Sequence, residues 1–159
     1  MRYLIDGYNL LFASPSKETL QKKREQVLRF LASYSSCFPL LLVVVFDGQN
    51  KAPDIVRTHI GNLEVIYTAK NQTADAFILE ELLAIKPKQS TIVSSDHALT
   101  KKAKALGAHT MSVEAFLAFL EKKKGKKTAA QEEKPSCDSI VHKKRLESVF
   151  EKLLEEPKN

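Results

Sequence analysis

The chain has 159 residues, of which 43% are hydrophobic, and its formal net charge is +6, which suits one domain with a real core and polyanionic partners. The two cysteines, Cys37 and Cys137, lie far apart without a CxxC pair, which argues against a disulfide framework or a zinc site and for a reducing compartment. Asp6 interrupts the first apolar run, unlike a signal peptide, and the longest apolar run, residues 38–46, is far too short to span a bilayer, so we expect a soluble cytoplasmic protein without membrane contact.

Strand-like and helix-like patterns alternate along the chain up to about residue 120. Short apolar runs predict five strands, at residues 2–5, 40–46, 63–67, 91–93 and 108–111. Apolar residues at helical spacing predict helices at residues 19–34, at 74–85, from 97 to 106, and around 113–120. The polar segment 49–61 is predicted to be a loop. Strands alternating with helices imply right-handed crossovers and therefore an α/β fold with a mainly parallel sheet.

The composition changes after residue 120. Residues 121–138 are basic and polar and are predicted to be a linker, whereas residues 139–159 have an amphipathic helical pattern. That helix could fold back onto the domain, bind a partner or stay frayed, and the sequence leaves these alternatives open. The lysines between residues 122 and 127 could hold phosphate as a flexible arm or belong to an ordinary linker.

Four aspartates stand at related places in this pattern. Asp6, Asp47 and Asp96 follow the first, second and fourth strands, and Asp75 lies in the first turn of the helix after the third strand. Because parallel strands end at one edge of a sheet, where ligands bind in open α/β folds, we expect these carboxylates to converge. Crowded carboxylates either acquire raised pKa values or recruit a cation, and oxygen ligands suit Mg²⁺ or Mn²⁺. Such a cation could activate water for attack on a phosphodiester.

Each acid also has an ordinary structural explanation. Asp96 precedes a helix and could be its N-cap, and Asp75 in a first helical turn interacts favourably with the helix dipole. Asp47-Gly48 is a common turn pair. The joint position of the four acids at one predicted edge is what favours a metal site.

Four short motifs resemble the YacP-like branch of the NYN domain family, in the wider PIN-like nuclease group, over about residues 1–120. They are Ile5-Asp6-Gly7-Tyr8-Asn9, Val45-Phe46-Asp47-Gly48, Thr73-Ala74-Asp75 and Ser94-Ser95-Asp96, and they occur in this order. The resemblance implies a three-layer αβα domain whose five strands, counted along the chain, have the order 3-2-1-4-5. It also implies an endoribonuclease that uses one or two Mg²⁺ or Mn²⁺ ions.

The resemblance implies roles for particular residues. The acidic residues of the site would be Asp6, Asp47, Asp75 and Asp96. Asn9 would line the same pocket and orient a water or a phosphate oxygen, and Ser94 and Ser95 would offer donors to a phosphate. Tyr8 could pack in the core or stack on a base. Relatives often carry an acid where this chain has Leu79, and the following Glu80 and Glu81 are expected to be solvent-exposed rather than ligands.

The expected partner is RNA, either mRNA, rRNA or tRNA, which the ribosome could present; the oligomeric state is left open. Basic residues near the predicted site are candidates for phosphate contacts, which give affinity without sequence choice: Lys51, Arg57, Lys70, Lys101 and Lys102. The alternative is a non-catalytic RNA-binding module with the same fold. A phosphohydrolase of the haloacid dehalogenase kind would need a second aspartate at position 8, which is Tyr8, and a Rossmann domain would need a GxGxxG motif after the first strand.

Overall fold

The structure, a computed structural model, describes residues 1–13, 17–48 and 53–129. It contains a six-stranded sheet in which all neighbouring pairs are parallel except one at an edge. In chain order the elements are β1 (Arg2–Asp6), α1 (Gly7–Phe12), α2 (Leu20–Cys37), β2 (Leu41–Phe46), β3 (Val56–Ile60), β4 (Leu63–Tyr67), α3 (Ala74–Ala84), a 3-10 turn (Pro87–Gln89), β5 (Ser90–Val93), α4 (His97–Ala105), β6 (His109–Met111) and α5 (Val113–Ala129).

The strand order is β3-β4-β2-β1-β5-β6. Apart from β3, the five strands have the order that the family resemblance implies, so that expectation is confirmed for the parallel part of the sheet. β1 lies between β2 and β5, and this is the point at which the direction of strand addition reverses. In doubly wound sheets the ligand crevice forms at such a switch point, outside the carboxyl ends of the strands.

β3 corrects the predicted loop at residues 49–61. Val56 to Ile60 pair antiparallel with β4, in register from Val56 opposite Tyr67 to Ile60 opposite Leu63. Gly61 has φ of +60° in the short turn between the two strands, a conformation that glycine adopts without steric cost. All five residues of β3 are exposed, so this edge strand lacks the apolar run by which the other strands are recognised.

Alternate residues of the strands form the core beneath α3 and α4. Leu4, Val43 and Val45 project from one face of the sheet and pack with Phe77 and Ile78 of α3. Successive side chains of a strand point to opposite faces, so Phe46 projects to the other face, where its ring meets Tyr8. The helices α1 and α2 pack on that second face, against β2 and β4. Asp6 therefore lies between two helical layers.

The chain divides into two compact units, Met1–Val113 and Glu114–Asn159. In the second unit, α5 continues through residues 121–129, where the sequence predicts a linker. Its lysines and alanines are good helix formers, and Gly125 alone opposes the helix. The predicted helix at 139–159 and the linker residues 130–138 lie outside the described residues. Within the part of the chain that is described, no helix is both long and apolar enough to cross a membrane.

Candidate active site

The carboxyl ends of three parallel strands bring the predicted acids to one edge of the sheet. β1 ends at Asp6, opposite Val45 of β2, and Ile5 lies opposite Val93, the last residue of β5. Asp47 directly follows β2, and Asp96 stands three residues beyond β5. This register places the three strand ends, and the aspartates that follow them, at one edge of the sheet.

Asp6 is held by α1, a helix that the sequence pattern did not indicate. Its Oδ1 accepts a hydrogen bond from the backbone N of Asn9 at 3.2 Å, which caps the helix, and its Oδ2 accepts one from Asn9 Nδ2 at 2.5 Å. Asp6 is only 5% exposed. Asp6 and Asn9 therefore orient each other, and Asn9 lies at the predicted pocket.

Ser94 connects the acids of neighbouring strands. Its buried hydroxyl donates to Asp6 Oδ2 at 3.4 Å and accepts from the backbone N of Asp96 at 3.1 Å. Asp96 in turn caps α4, since its Oδ1 accepts from the backbone N of Ala98 at 2.7 Å and of Leu99 at 3.1 Å. The cap explanation for Asp96 is thus confirmed, and one hydroxyl positions both Asp6 and Asp96. Ser95 is exposed beside them.

We expect Ser94→Ala to lower the RNA cleavage that the family resemblance implies by about tenfold, because the two acids lose their shared partner, and to cost about 1 kcal/mol in the free energy of unfolding. The rate should be measured with saturating divalent ion, and stability by urea unfolding. Ser33→Ala, at an exposed position of α2 outside the site, is the matched control and should leave both quantities nearly unchanged. Equal rates for the two variants would show that Ser94 does not position the acids.

Asp47 is exposed at the edge and reaches across to the next helix. Its Oδ1 accepts a hydrogen bond from the backbone N of Ala74, the first residue of α3. The loop behind it is fixed by Thr68, whose Oγ1 accepts from the backbone N of Gly48 at 3.0 Å and donates to the carbonyl of Gln72 at 2.6 Å. These bonds hold the end of β2 against the start of α3, and so bring Asp47 near Asp75.

The pKa of Asp75 is affected by its burial and by the charges around it. Burial raises its pKa above the usual aspartate value, and the negative charges of Asp6, Asp96 and Asp47 raise it further, while Lys102 opposes them. The charges of the other three predicted acids therefore act on Asp75. Among the residues that the structure describes, no three acidic, histidine or cysteine side chains are placed together as a ready-made metal cage.

The raised pKa of Asp75 predicts a pH-dependent gain from Asp75→Asn. Because the folded-state pKa exceeds the unfolded one, the unfolded chain releases this proton first, so Asp75 destabilises the fold as pH rises through and above the ordinary value of 3.8. In EDTA, we expect the variant to melt at higher temperature than the wild type near neutral pH. The difference should vanish below about pH 3.8, where both states hold the proton.

Thermal melts across this pH range test the prediction, and added Mg²⁺ should shrink the difference because a cation relieves the repulsion. Asp54→Asn, at an exposed position, is a matched loss of one charge and should show no such pH-dependent gain. A variant less stable than the wild type near neutral pH in EDTA would contradict the expected repulsion.

The basic residues predicted to contact phosphate have different surroundings in the structure. Lys102 lies close enough to influence Asp75, and Lys70 and Lys101 are exposed. The Arg57 guanidinium is held in ion pairs with Glu64 at 2.9 Å and Glu81 at 3.2 Å. Lys51 lies outside the described residues.

The two glutamates on α3 also differ. Glu80 is exposed, as expected, and accepts a hydrogen bond from Gln72. The expected exposure of Glu81 is wrong: its side chain is only 14% exposed and pairs with Arg2 and Arg57. Leu79 packs against the core, so the departure from the family pattern leaves an apolar residue at that place.

Sequence reasoning missed Arg24. The sequence shows it as one of several basic residues on the outer side of α2. In the structure its guanidinium lies over the rings of Phe46 and Tyr67, the last residues of β2 and β4. Tyr8 packs edge-on against Phe46, at 5.6 Å between ring centroids. The sequence offers one signal: Arg24 lies in the second turn of α2, the first long helix after Asp6.

The fold matches solved structures. The crystal structure of Rae1 (YacP) from Bacillus subtilis in its W164L mutant form aligns with a TM-score of 0.64 at 23% identity, covering 94% of this chain and 99% of that chain. The crystal structure of Rae1 (YacP) from Bacillus subtilis aligns with a TM-score of 0.63 at 23% identity, covering 97% and 90%. At this identity the likeness concerns the fold.

Sequence comparison identifies the family. No curated protein sequence matches the chain significantly. The family of the YacP-like NYN domain matches residues 3–158, which extends beyond the 120 residues over which the motifs indicate the resemblance. With this match over nearly the whole chain, the chain belongs to the YacP-like NYN domain family.

Proposed function

We propose that this chain is a divalent-metal-dependent endoribonuclease that hydrolyses RNA phosphodiester bonds. It has a YacP-like NYN domain, a PIN-like nuclease fold. The observation that carries the proposal is the gathering of carboxylates at one sheet edge: Ser94 joins Asp6 to Asp96, and Asp47 binds the first backbone N of the helix that holds Asp75. Carboxylates gathered at a sheet edge are costly unless a cation or a reaction makes use of them.

The side chains present fit a hard cation in chemistry and charge. Their donors are carboxylate oxygens, with the amide of Asn9 beside Asp6, and these suit Mg²⁺ or Mn²⁺. Mg²⁺ commonly rests on one or two carboxylates and completes its shell with water and substrate phosphates, so it does not require the three-ligand cage that the described residues lack. Asp6 and Asp96, joined through Ser94, would be the direct ligands.

When bound, the cation would neutralise phosphate charge and make water a better nucleophile. The chain would supply the rest. Asn9, anchored on Asp6, would orient the attacking water or a phosphate oxygen. Asp75, which feels the charges of the other acids, would accept the proton that the water loses. In-line attack on phosphorus would break the bond to the 3′ oxygen and leave a 5′-phosphate and a 3′-hydroxyl.

Incubation with a mixed RNA pool tests the proposal, with Mn²⁺, with Mg²⁺ and with EDTA, followed by mapping of the cut ends. We expect cleavage only with a divalent ion, with a 5′-phosphate at each new 5′ end and a 3′-hydroxyl at each new 3′ end. RNA binding without cleavage under any divalent ion would instead support a non-catalytic RNA-binding module. Separate mRNA, rRNA and tRNA substrates, each offered alone and with ribosomes, would then identify the substrate.

A further inference from the structure

A cationic and aromatic cluster lies beside the acids on the face of the sheet covered by α1 and α2. Arg24 belongs to it, with its guanidinium carbon 6.0 Å from the Phe46 ring centroid and 5.7 Å from that of Tyr67. These two rings stack with centroids 5.7 Å apart and planes at 20°. The aromatic pair therefore gives the guanidinium a defined seat at the carboxyl ends of β2 and β4.

Arg24 has no carboxylate partner among the described residues, and this distinguishes it from Arg57, whose charge is offset by Glu64 and Glu81. A guanidinium seated on rings keeps its N–H groups available for hydrogen bonds in its own plane. Planar donors of this kind suit a phosphate group. The charge of Arg24 is thus available to an anion at the edge of the acid cluster.

The hydroxyl of Tyr8 points to the same place. Its Oη is buried and makes no hydrogen bond within the described part of the chain. The Tyr8 ring packs on the Phe46 ring over which Arg24 lies. Burial raises the pKa of Tyr8, the Arg24 charge lowers it, and the Asp47 charge raises it. A buried hydroxyl without a partner is unfavourable, and a hydrogen bond to a ligand oxygen would remove that cost.

Phe12 completes the cluster on its outer side. Its ring stacks on Tyr8 with centroids 6.1 Å apart and planes at 21°, and the residue is 69% exposed. One side of the ring is supported while the residue remains open to solvent. An exposed, supported ring is the form of platform on which proteins stack unpaired nucleic-acid bases.

We infer that Arg24, Tyr8 and Phe12 form a nucleotide subsite that binds single-stranded RNA next to the scissile phosphate. Arg24 and the Tyr8 hydroxyl hold a neighbouring phosphate, and Phe12 stacks on an unpaired base. Lys102 lies on the opposite face, by Asp75, so the RNA strand crosses the acidic edge between two cations. The inference rests on the proposed function for the choice of RNA as the ligand.

Binding of a labelled, mixed-sequence single-stranded oligoribonucleotide to the full chain tests the subsite, with EDTA present so that cleavage plays no part. Arg24→Gln should weaken binding, and the slope of log affinity against log salt should fall in magnitude by about 0.7, the contribution of one phosphate contact on a single strand. Arg29→Gln removes the same charge from an exposed position of α2 and should leave most of that slope. Equal slopes for the two variants would overturn the phosphate contact.

Phe12→Ala should weaken single-strand binding by about five- to tenfold, as loss of one stacked base requires, without changing the salt slope. Leu83→Ala, at a residue that is also 69% exposed but lies at the far end of α3, is the matched control. A duplex of the same sequence has no unpaired base and should be insensitive to Phe12→Ala. Equal losses on single strand and duplex, or equal effects of the two variants, would overturn the base contact.

Tyr8→Phe keeps the ring stacking and removes only the unpartnered hydroxyl. We expect it to weaken single-strand binding severalfold and to raise stability slightly, because a buried hydroxyl without a partner is lost. Unchanged affinity would remove Tyr8 from the subsite. Since binding is measured in EDTA, these outcomes are separate from the cleavage assay: an inactive wild type with intact subsite effects would refute the nuclease, not the subsite.

Discussion

Asp6→Asn should abolish RNA cleavage, with a loss of about 10³-fold or more. Removing groups that merely support metal ligands costs about 10–100-fold, so the loss of a direct carboxylate should cost more. Asp6 is nearly buried and is hydrogen-bonded to both Asn9 and Ser94. Another carboxylate could take its place only if these side chains rearranged. Asp96→Asn should have the same effect.

The fold of these variants should survive. Asparagine caps a helix as well as aspartate does, so α1 and α4 keep their first-turn hydrogen bonds. Circular dichroism should therefore match the wild type, with melting temperature lowered only modestly. Glu80→Gln, at an exposed carboxylate whose hydrogen bond from Gln72 a glutamine can still accept, is the control and should cleave normally. Cleavage at the wild-type rate by both Asp6→Asn and Asp96→Asn would refute the proposed site.

Gly48→Ala should destabilise the fold by about 3 kcal/mol or more and remove most of the activity. An added Cβ at Gly48 would lie 1.8 Å from the carbonyl oxygen of Thr68, and a backbone atom cannot move aside as a flexible side chain can. The shift would break the bond from Gly48 N to Thr68 Oγ1 and displace Asp47 from the start of α3. The variant should therefore lose both stability and the native position of Asp47.

Gly107→Ala separates this clash from the general cost of replacing a glycine. Gly107 has φ of +89° and nothing within 4 Å of an added Cβ, so its variant should lose only about 1–2 kcal/mol from backbone strain. Urea unfolding of the two variants under identical conditions provides the comparison, with cleavage measured on the folded fraction. Equal losses would show that the loop of Gly48 yields to the added methyl.

Local chemistry in the sequence predicted β4 and the start of α3, the helix that carries Asp75. Residues 63–67 form β4 as predicted, and α3 begins at Ala74 with Thr73 as its cap. Buried parallel strands are continuous apolar runs, and helix starts carry caps, so both are visible without tertiary information. β3 was not predicted, because its five residues are exposed and form no apolar run. Its strand conformation is stabilised by backbone pairing with β4, which no local pattern shows.

The sequence by itself determined which acids stand at the ends of strands, because chain direction and strand alternation place Asp6, Asp47 and Asp96 there whatever the packing. Only the tertiary structure decided how the charges are used. Arg57 is engaged by Glu64 and Glu81, whereas Arg24 rests on aromatic rings without a carboxylate among the described residues. The reason is physical: the pairing of a charged side chain depends on neighbours distant in sequence, which no local pattern of residues records.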